Sequence, residues 1–364
     1  VLERGKRWAK ADFPRTLGQV AQAFWNHRDF GLLDYRVFGH IDVIQASGVG
    51  GGSLVYFNVH RRAKPRIFEN PRWPRNVTRE ALDPFYDRAK EMLEARPLTP
   101  PDGLPLPHRT RALLEGARAA GHAPELLDIC VYTGPPRNNP HSGLPQSACV
   151  YCGNCMLGCH VHAKNTLDLN YLPVAEKNGA EIRPLHEVVM IEPATEGYRI
   201  HFKQLNAGSA GAAESGSVIG RKVVVAAGTL GSTELLLRCR DVHRTLPRIS
   251  NALGSKFSGN GDSLIPATTD LPQAIDAAWG PSITAGFGYS DGADELYIQD
   301  LGIPDPFFWT LQAGLPNATR LHNVWRVLKD YIARMLGRPS GKTEGVDFQK
   351  LFQGGLLHAL PYLG

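Results

Sequence analysis

The chain has 364 residues, 43% hydrophobic and 21% charged, with a formal net charge of +5. That length is comfortable for two domains, and the composition is that of a globular protein. Arg61-Arg62 with Lys64 and Arg66 makes only a short basic edge, so nucleic acid is not an expected partner. No apolar run reaches the ~18–20 residues of a membrane span, which leaves peripheral contact as the expected limit of any membrane association.

Val1-Leu2-Glu3-Arg4-Gly5 reads as an apolar strand end, an acid and a turn glycine. In dinucleotide-binding folds the second strand ends in a carboxylate that accepts hydrogen bonds from ribose hydroxyls, and Glu3 suits that role. A surface Glu after a strand is the plain alternative. The pattern also calls for G-x-G-x-x-G about twenty residues earlier, and the chain begins too late to show one. Residues 6–45 form a connecting excursion that ends in a strand over 42–45.

The stretch 46–58 follows, with glycine at 48, 50, 51 and 52. Each glycine costs roughly 0.5–1 kcal/mol relative to Ala inside a regular element. The run therefore implies positive φ, or a partner that comes close to bare main chain. Successive N–H groups turned inward make an anion-binding nest. A flexible linker is the alternative, and the β-prone Leu54-Val55-Tyr56-Phe57 that follows at once argues against it.

Residues 65–76 read as loop. Asp83 as N-cap and Pro84 at N1 predict a helix through Ala95 that buries Phe85, Ala89, Met92 and Leu93. Residues 97–107 form a Pro-rich linker. A helix over 110–120 ends at Gly121, and 133–147 is a long loop.

Four of the six cysteines fall within 149–159: Cys149, Cys152, Cys155 and Cys159. Such a local cluster suits a reducing compartment and a cytoplasmic location. The spacing C-x2-C-x2-C-x3-C is the run of bacterial ferredoxins. In those proteins the fourth cysteine serves a second cluster, and no second run exists here, so one cluster would draw on Cys130 or Cys239. His160 also stands where that pattern has Pro. A zinc knuckle with His160 or His162, a disulfide, or free thiols packing a tight turn without metal are the other readings.

A helix follows to about Asn178 with Gly179 as its stop. Short strands are expected over 180–184, 187–192 and 198–202, with a hairpin loop over 206–217. Arg221 to Gly228 reads as a strand covered on both faces, feeding a helix capped by Ser232. Residues 252–262 form a second glycine-spaced loop. Residues 263–364 show no dinucleotide pattern; 324–336 reads as a helix whose apolar side is core, the wall of a substrate pocket or a membrane-facing lid.

Taken together, Val1-Leu2-Glu3-Arg4-Gly5, Gly48-Val49-Gly50-Gly51-Gly52-Ser53-Leu54-Val55, Cys152-Gly153-Asn154-Cys155 with Gly158-Cys159, Ala163-Lys164-Asn165-Thr166, Ala226-Ala227-Gly228-Thr229-Leu230-Gly231-Ser232 and Gly259-Asn260-Gly261-Asp262 stand in one order. In this the chain resembles the glucose–methanol–choline (GMC) oxidoreductases, nearest the cholesterol-oxidase-like branch, over about residues 1–265. The resemblance implies an α/β fold: a Rossmann-like FAD-binding domain, incomplete here, interleaved with a mixed-sheet α+β substrate domain. The expected boundaries are 1–70 and 171–262 for the FAD-binding parts, 71–170 for a connecting or lid region with the Cys-rich loop, and 263–364 for the substrate domain.

The resemblance further implies FAD as cofactor and oxidation of a CH–OH group in a small alcohol, a 3β-hydroxysterol in that branch. Carried over by position, Glu3 holds the adenosine ribose. Gly48 and Gly50 to Ser53 (Gly50, Gly51, Gly52, Ser53) lie along the diphosphate and ribityl chain. Asn58 stands near the isoalloxazine, Val188 or Val189 against adenine, and Ala227 and Gly228 approach the cofactor backbone-first. The family's first strand with its glycine turn and its C-terminal His motif are not matched. The chain is therefore expected to be truncated at both ends, with no catalytic residue assigned among its histidines, and as written neither to hold FAD tightly nor to turn over. The rival expectations are an iron–sulfur electron-transfer protein and a catalytically inactive fragment. Oligomeric state is not legible.

Overall fold

Short strands and helices alternate along the chain in the computed structural model, which describes residues 1–26, 30–38, 41–101, 103–206, 214–266, 275–290, 292, 295–306 and 356–362. The helices are α1 (Leu17–Ala23), α2 (Arg79–Met92), α3 (His108–Ala119), α4 (Tyr171–Lys177) and α5 (Gly228–Leu237). The strands begin with β1 (Leu33–Val37), β2 (Asp42–Ala46), β3 (Arg96–Pro97), β4 (Glu125–Leu126), β5 (Asp128–Ile129), β6 (Arg137–Asn138) and β7 (Pro145–Gln146). They continue with β8 (His186–Ala194), β9 (Gly197–Gln204), β10 (Glu214–Gly220), β11 (Ser263–Pro266), β12 (Ala285–Ser290), β13 (Glu295–Leu301) and β14 (Leu356–Tyr362). Two compact units share them: residues 1–12, 18–54 and 172–259 form one, and residues 13–17, 55–171 and 260–364 the other.

In the first unit β1 and β2 form an antiparallel hairpin from Leu33↔Ala46 to Val37↔Asp42. The strands β10, β9 and β8 make an antiparallel sheet in that order. Ile191 on β8 packs with Leu235 and Cys239, and Val188, Met190, Val223 and Val225 close around them. The short strand expected over 180–184 is reduced to one parallel bridge, Leu2↔Arg183. Gly179, at φ +89°, ends the preceding helix as expected.

The strand expected over 221–228 is not formed. The strand lies just before it, in β10, and Val224 is 89% exposed while Val223 and Val225 turn onto the core. An apolar alternation becomes a strand only when a neighbour supplies its hydrogen bonds, and among the described residues nothing pairs with 221–227. Helix α5 also starts earlier than expected: Ala227 is its N-cap and Ser232 lies inside it. Among the described residues every ladder is antiparallel. The class is mixed α/β built from small sheets.

The second unit holds an antiparallel sheet in the order β11-β14-β13-β12-β4. Helix α3 lays Leu113, Leu114 and Ala117 against Ala285 and Phe287 of β12. Its C-terminus follows the expectation, with Gly121 at φ +81°. Helix α2 does not. Thr78 caps it by accepting the Ala81 N–H at 3.2 Å, and Pro84 lies within it. The Asp83 carboxylate is held instead by Arg79 (2.9 Å) and Arg62 (2.8 Å). No residue of α2 is fully buried, and Phe85 is 61% exposed; Leu82, Tyr86 and Ala89 take the inward side. The helix expected over 324–336 lies outside the described residues.

A buried polar network ties α3 to the sheet. Asp300 Oδ1 accepts the main-chain N–H of Thr284 (2.7 Å) and Ala285 (2.8 Å), and Oδ2 accepts the hydroxyls of Thr284 (2.8 Å) and Thr110 (3.1 Å). The Arg109 guanidinium stands 3.4 Å away and donates to the carbonyls of Trp279 and Pro281. Breaking a buried ion pair leaves the partner charge uncompensated. Asp300→Ala is therefore expected to lower stability by about 3–5 kcal/mol in urea unfolding, with Asp300→Asn costing clearly less because its carbonyl oxygen still accepts.

Candidate functional site

The first unit brings the Glu3 strand end onto the glycine loop. Residues 1–5 run along 183–186: the Glu3 N–H donates to Arg183 O (3.0 Å), and Glu3 O accepts the His186 N–H (2.8 Å). At Gly5 the chain presses on the main chain of Ser47 and Gly48, where a Cβ would strike the Gly48 nitrogen. Glu3 Oε1 accepts the N–H of Gly5 (2.7 Å) and of Gly48 (3.2 Å). The Val49 N–H donates to Lys6 O at 3.1 Å. The loop is thus tied to the strand end through a carboxylate and two stretches of backbone.

Burial pushes the Glu3 carboxyl above its ordinary value of 4.5; the Gly5 and Gly48 N–H groups and the Arg4 charge pull the other way without cancelling it.

Gly48, Gly50 and Gly51 adopt φ of +153°, +115° and +54°. The loop satisfies its inner edge itself: the Gly51 N–H donates to Gly48 O (2.8 Å), and Ser53 donates to Gly50 O through both N–H (3.3 Å) and Oγ (2.7 Å). Trp8 backs the loop, with its ring 2.7 Å from where a Gly48 Cβ would stand. Leu54 is buried beneath. The outer edge is bare, since a Cβ on Gly51 or Gly52 would meet nothing within 4 Å. Ser47, buried beside the loop, has a hydroxyl without a hydrogen-bond partner among the described residues.

Beside this loop β2 reaches the start of α5. Gln45 donates to Asp34 Oδ2 at 2.9 Å, and its Oε1 lies 3.5 Å from where a Gly228 Cβ would stand. Arg36 joins Asp34 (3.2 Å) to Glu234 on α5 (3.0 Å). Ala227 and Gly228 are exposed, Gly228 at φ +72°, and no side chain caps the helix. Its first N–H groups are therefore open to a ligand or water. Val188 packs into the apolar core under α5, and Val189 sits at the bulge between Val188 and Met190.

Asn58 belongs to the second unit. It is completely buried at φ +73°, and neither atom of its carboxamide has a partner among the described residues. A buried unsatisfied polar group costs about 1–3 kcal/mol, and such orphans call for a ligand or ordered water. Ser47 and Gln45 were missed in the sequence. The only local signal was a hydroxyl next to four glycines.

The cysteines also lie in the second unit. Cys149, Cys152, Cys155 and Cys159 line one cavity of about 20 Å³ with Gly153, Gly158 and Lys164; all are free thiols. Burial pushes the Cys149 thiol up. Lys164 is buried, donates to the carbonyls of Cys155 (2.6 Å) and Tyr56 (3.3 Å), and is pushed down to about 8 by loss of solvent. Among the described residues no three Cys, His, Asp or Glu side chains gather around a single-ion position. No helix among them is long and apolar enough to cross a membrane.

The family model "GMC oxidoreductase" matches residues 38–240. A cholesterol oxidase of Acinetobacter baumannii is 28% identical over 287 residues, 73% of this chain and 50% of that protein. A cholesterol oxidase of Mycobacterium tuberculosis is 29% identical over 306 residues, 78% of this chain and 51% of that one. The chain spans about half the length of these curated relatives.

Two stability outcomes follow from the clasp. Gly5→Ala is expected to cost about 1–3 kcal/mol, because its Cβ would displace backbone. The raised Glu3 pKa means that the fold takes up this proton more readily than the unfolded chain does. That stabilisation is complete below 4.5 and is lost as pH rises through the folded value. Urea unfolding at about pH 4 and about pH 7 should show wild type losing stability relative to Glu3→Gln as pH rises.

Proposed function

The chain belongs to the GMC oxidoreductase family, and on that premise we propose that it forms the nucleotide-holding part of an FAD-dependent oxidoreductase acting on an alcohol. When bound, FAD supplies the acceptor for a hydride leaving the CH–OH carbon. The remaining work falls to this chain's residues. Glu3 spends Oε1 on the two glycine N–H groups and offers Oε2 to the ribose hydroxyls. Gly51 and Gly52 admit the diphosphate to main chain, with the Ser47 hydroxyl as an added donor and Gly50 and Ser53 holding the turn. Ala227 and Gly228 present backbone beside it, and Val188 or Val189 supplies apolar contact for adenine. The Asn58 carboxamide, with a donor and an acceptor to give, suits the polar edge of the flavin ring.

The sterol class of substrate rests on the two cholesterol oxidases alone. Oxygen uptake with a 3β-hydroxysteroid would support an oxidase; dye reduction without oxygen uptake would support a dehydrogenase.

The observation that carries the proposal is the bare edge at Gly51 and Gly52 beside the Glu3 clasp. Gly52→Val fills space that is open in the fold, so thermal unfolding should hardly move. FAD affinity, titrated by quenching of flavin fluorescence, should fall by about tenfold or more, equivalent to about 1.4 kcal/mol. Equal affinity in wild type and variant would refute the proposal.

A further inference from the structure

The cysteine run takes no part in the flavin contacts. We propose that Cys149, Cys152, Cys155 and Cys159 are the ligands of an iron–sulfur cluster in the second unit. This inference is independent of the flavin reading.

The first argument is that the four thiols share one cavity. The fourth cysteine of the run therefore belongs with the first three, and no distant ligand is required. Cys130 is completely buried and does not line this cavity. Cys239 accepts the Ile191 N–H at 3.3 Å in the core of the other unit.

The second argument is the main chain around the sulfurs. The Lys164 N–H donates to the Cys159 sulfur at 3.4 Å. Hydrogen bonds to the ligand sulfurs are a feature of iron–sulfur sites. The backbone reaches this arrangement through left-handed turns at Tyr151 (φ +57°), Gly153 (+67°) and Gly158 (+88°). For the non-glycine Tyr151 that conformation costs roughly 1–2 kcal/mol, and such strain persists where the surrounding structure fixes it for a purpose.

Charge agrees. Lys164 lies within electrostatic reach of Cys155 and Cys159, and Arg15 of Cys152, Cys155 and Cys159. Arg15 also donates to Gly158 O at 3.1 Å. Positive charge beside these thiols matches the net negative charge of a thiolate-ligated cluster.

A single zinc ion fits less well. It needs its ligands around one point, and among the described residues none gather so. A cluster binds each thiolate to a different iron and holds the sulfurs further apart. Zinc sites also join C-x2–4-C pairs to a second, distant pair. On assembly each cysteine gives up its proton as a thiolate–iron bond forms; ferrous and ferric ions in equal number, together with sulfide, make up a cubane cluster at its own oxidation level, so no further oxidant is needed.

The test is metal and acid-labile sulfide analysis of the chain purified without oxygen and reconstituted with ferrous and ferric salts and sulfide. Roughly three to four iron atoms and as many sulfides per chain are expected. Cys152→Ser removes an exposed thiol and spares the core; it should lower iron severalfold with unchanged circular dichroism, as should Cys155→Ser. Zinc in place of iron would overturn the proposal. So would neither metal in folded, reconstituted protein, or full iron retention in both variants.

Discussion

One carboxylate oxygen holds the first unit's site together. Glu3 Oε1 reaches the N–H of Gly5 on its own strand and of Gly48 on the glycine loop, 45 residues away in sequence. Hydrogen bonds to a charged group contribute about 1.5–3 kcal/mol each, against the cost of half-burying the carboxylate. The balance leaves the Glu3 pKa raised. The clasp fits because Gly5 has no side chain to keep the two backbones apart. With its inner edge fixed, the loop can leave its outer edge bare without collapsing.

The glycines accordingly do different work. Gly5 and Gly48 permit close packing, against the loop backbone and against Trp8. Gly51 and Gly52 leave a space that nothing in the described chain fills. A glycine-rich linker would show the second property without the first. Closely packed glycines beside open ones make a rigid cradle, the form a cofactor site requires. The two buried orphans, Ser47 Oγ in the first unit and the Asn58 carboxamide in the second, each need a partner. Polar ligand atoms would supply one.

Much of this was legible because it is written locally. Helix stops at Gly121 and Gly179 depend on one residue's freedom at positive φ, and β9 declares itself by alternation. What failed was decided at a distance. Asp83-Pro84 has the chemistry of a helix start, but Arg62 and Arg79 take the carboxylate and Thr78 does the capping. Residues 221–227 have the composition of a buried strand, yet pairing belongs to the neighbour and not to the segment. Glu3 and the glycine loop were each visible alone. The bond between them was not, nor was the burial that leaves Ser47 and Asn58 without partners. The cysteine spacing was plain, whereas the shared cavity and the Lys164 N–H aimed at the Cys159 sulfur needed the fold.

The central claim is that main chain at 50–53, braced by Glu3, meets the nucleotide directly. Amide hydrogen exchange over residues 46–55, with and without FAD, tests it without altering a residue. The account predicts slower exchange there when FAD is bound and unchanged exchange in the α3 segment. Bound FAD that leaves 46–55 exchanging at its free rate would contradict it.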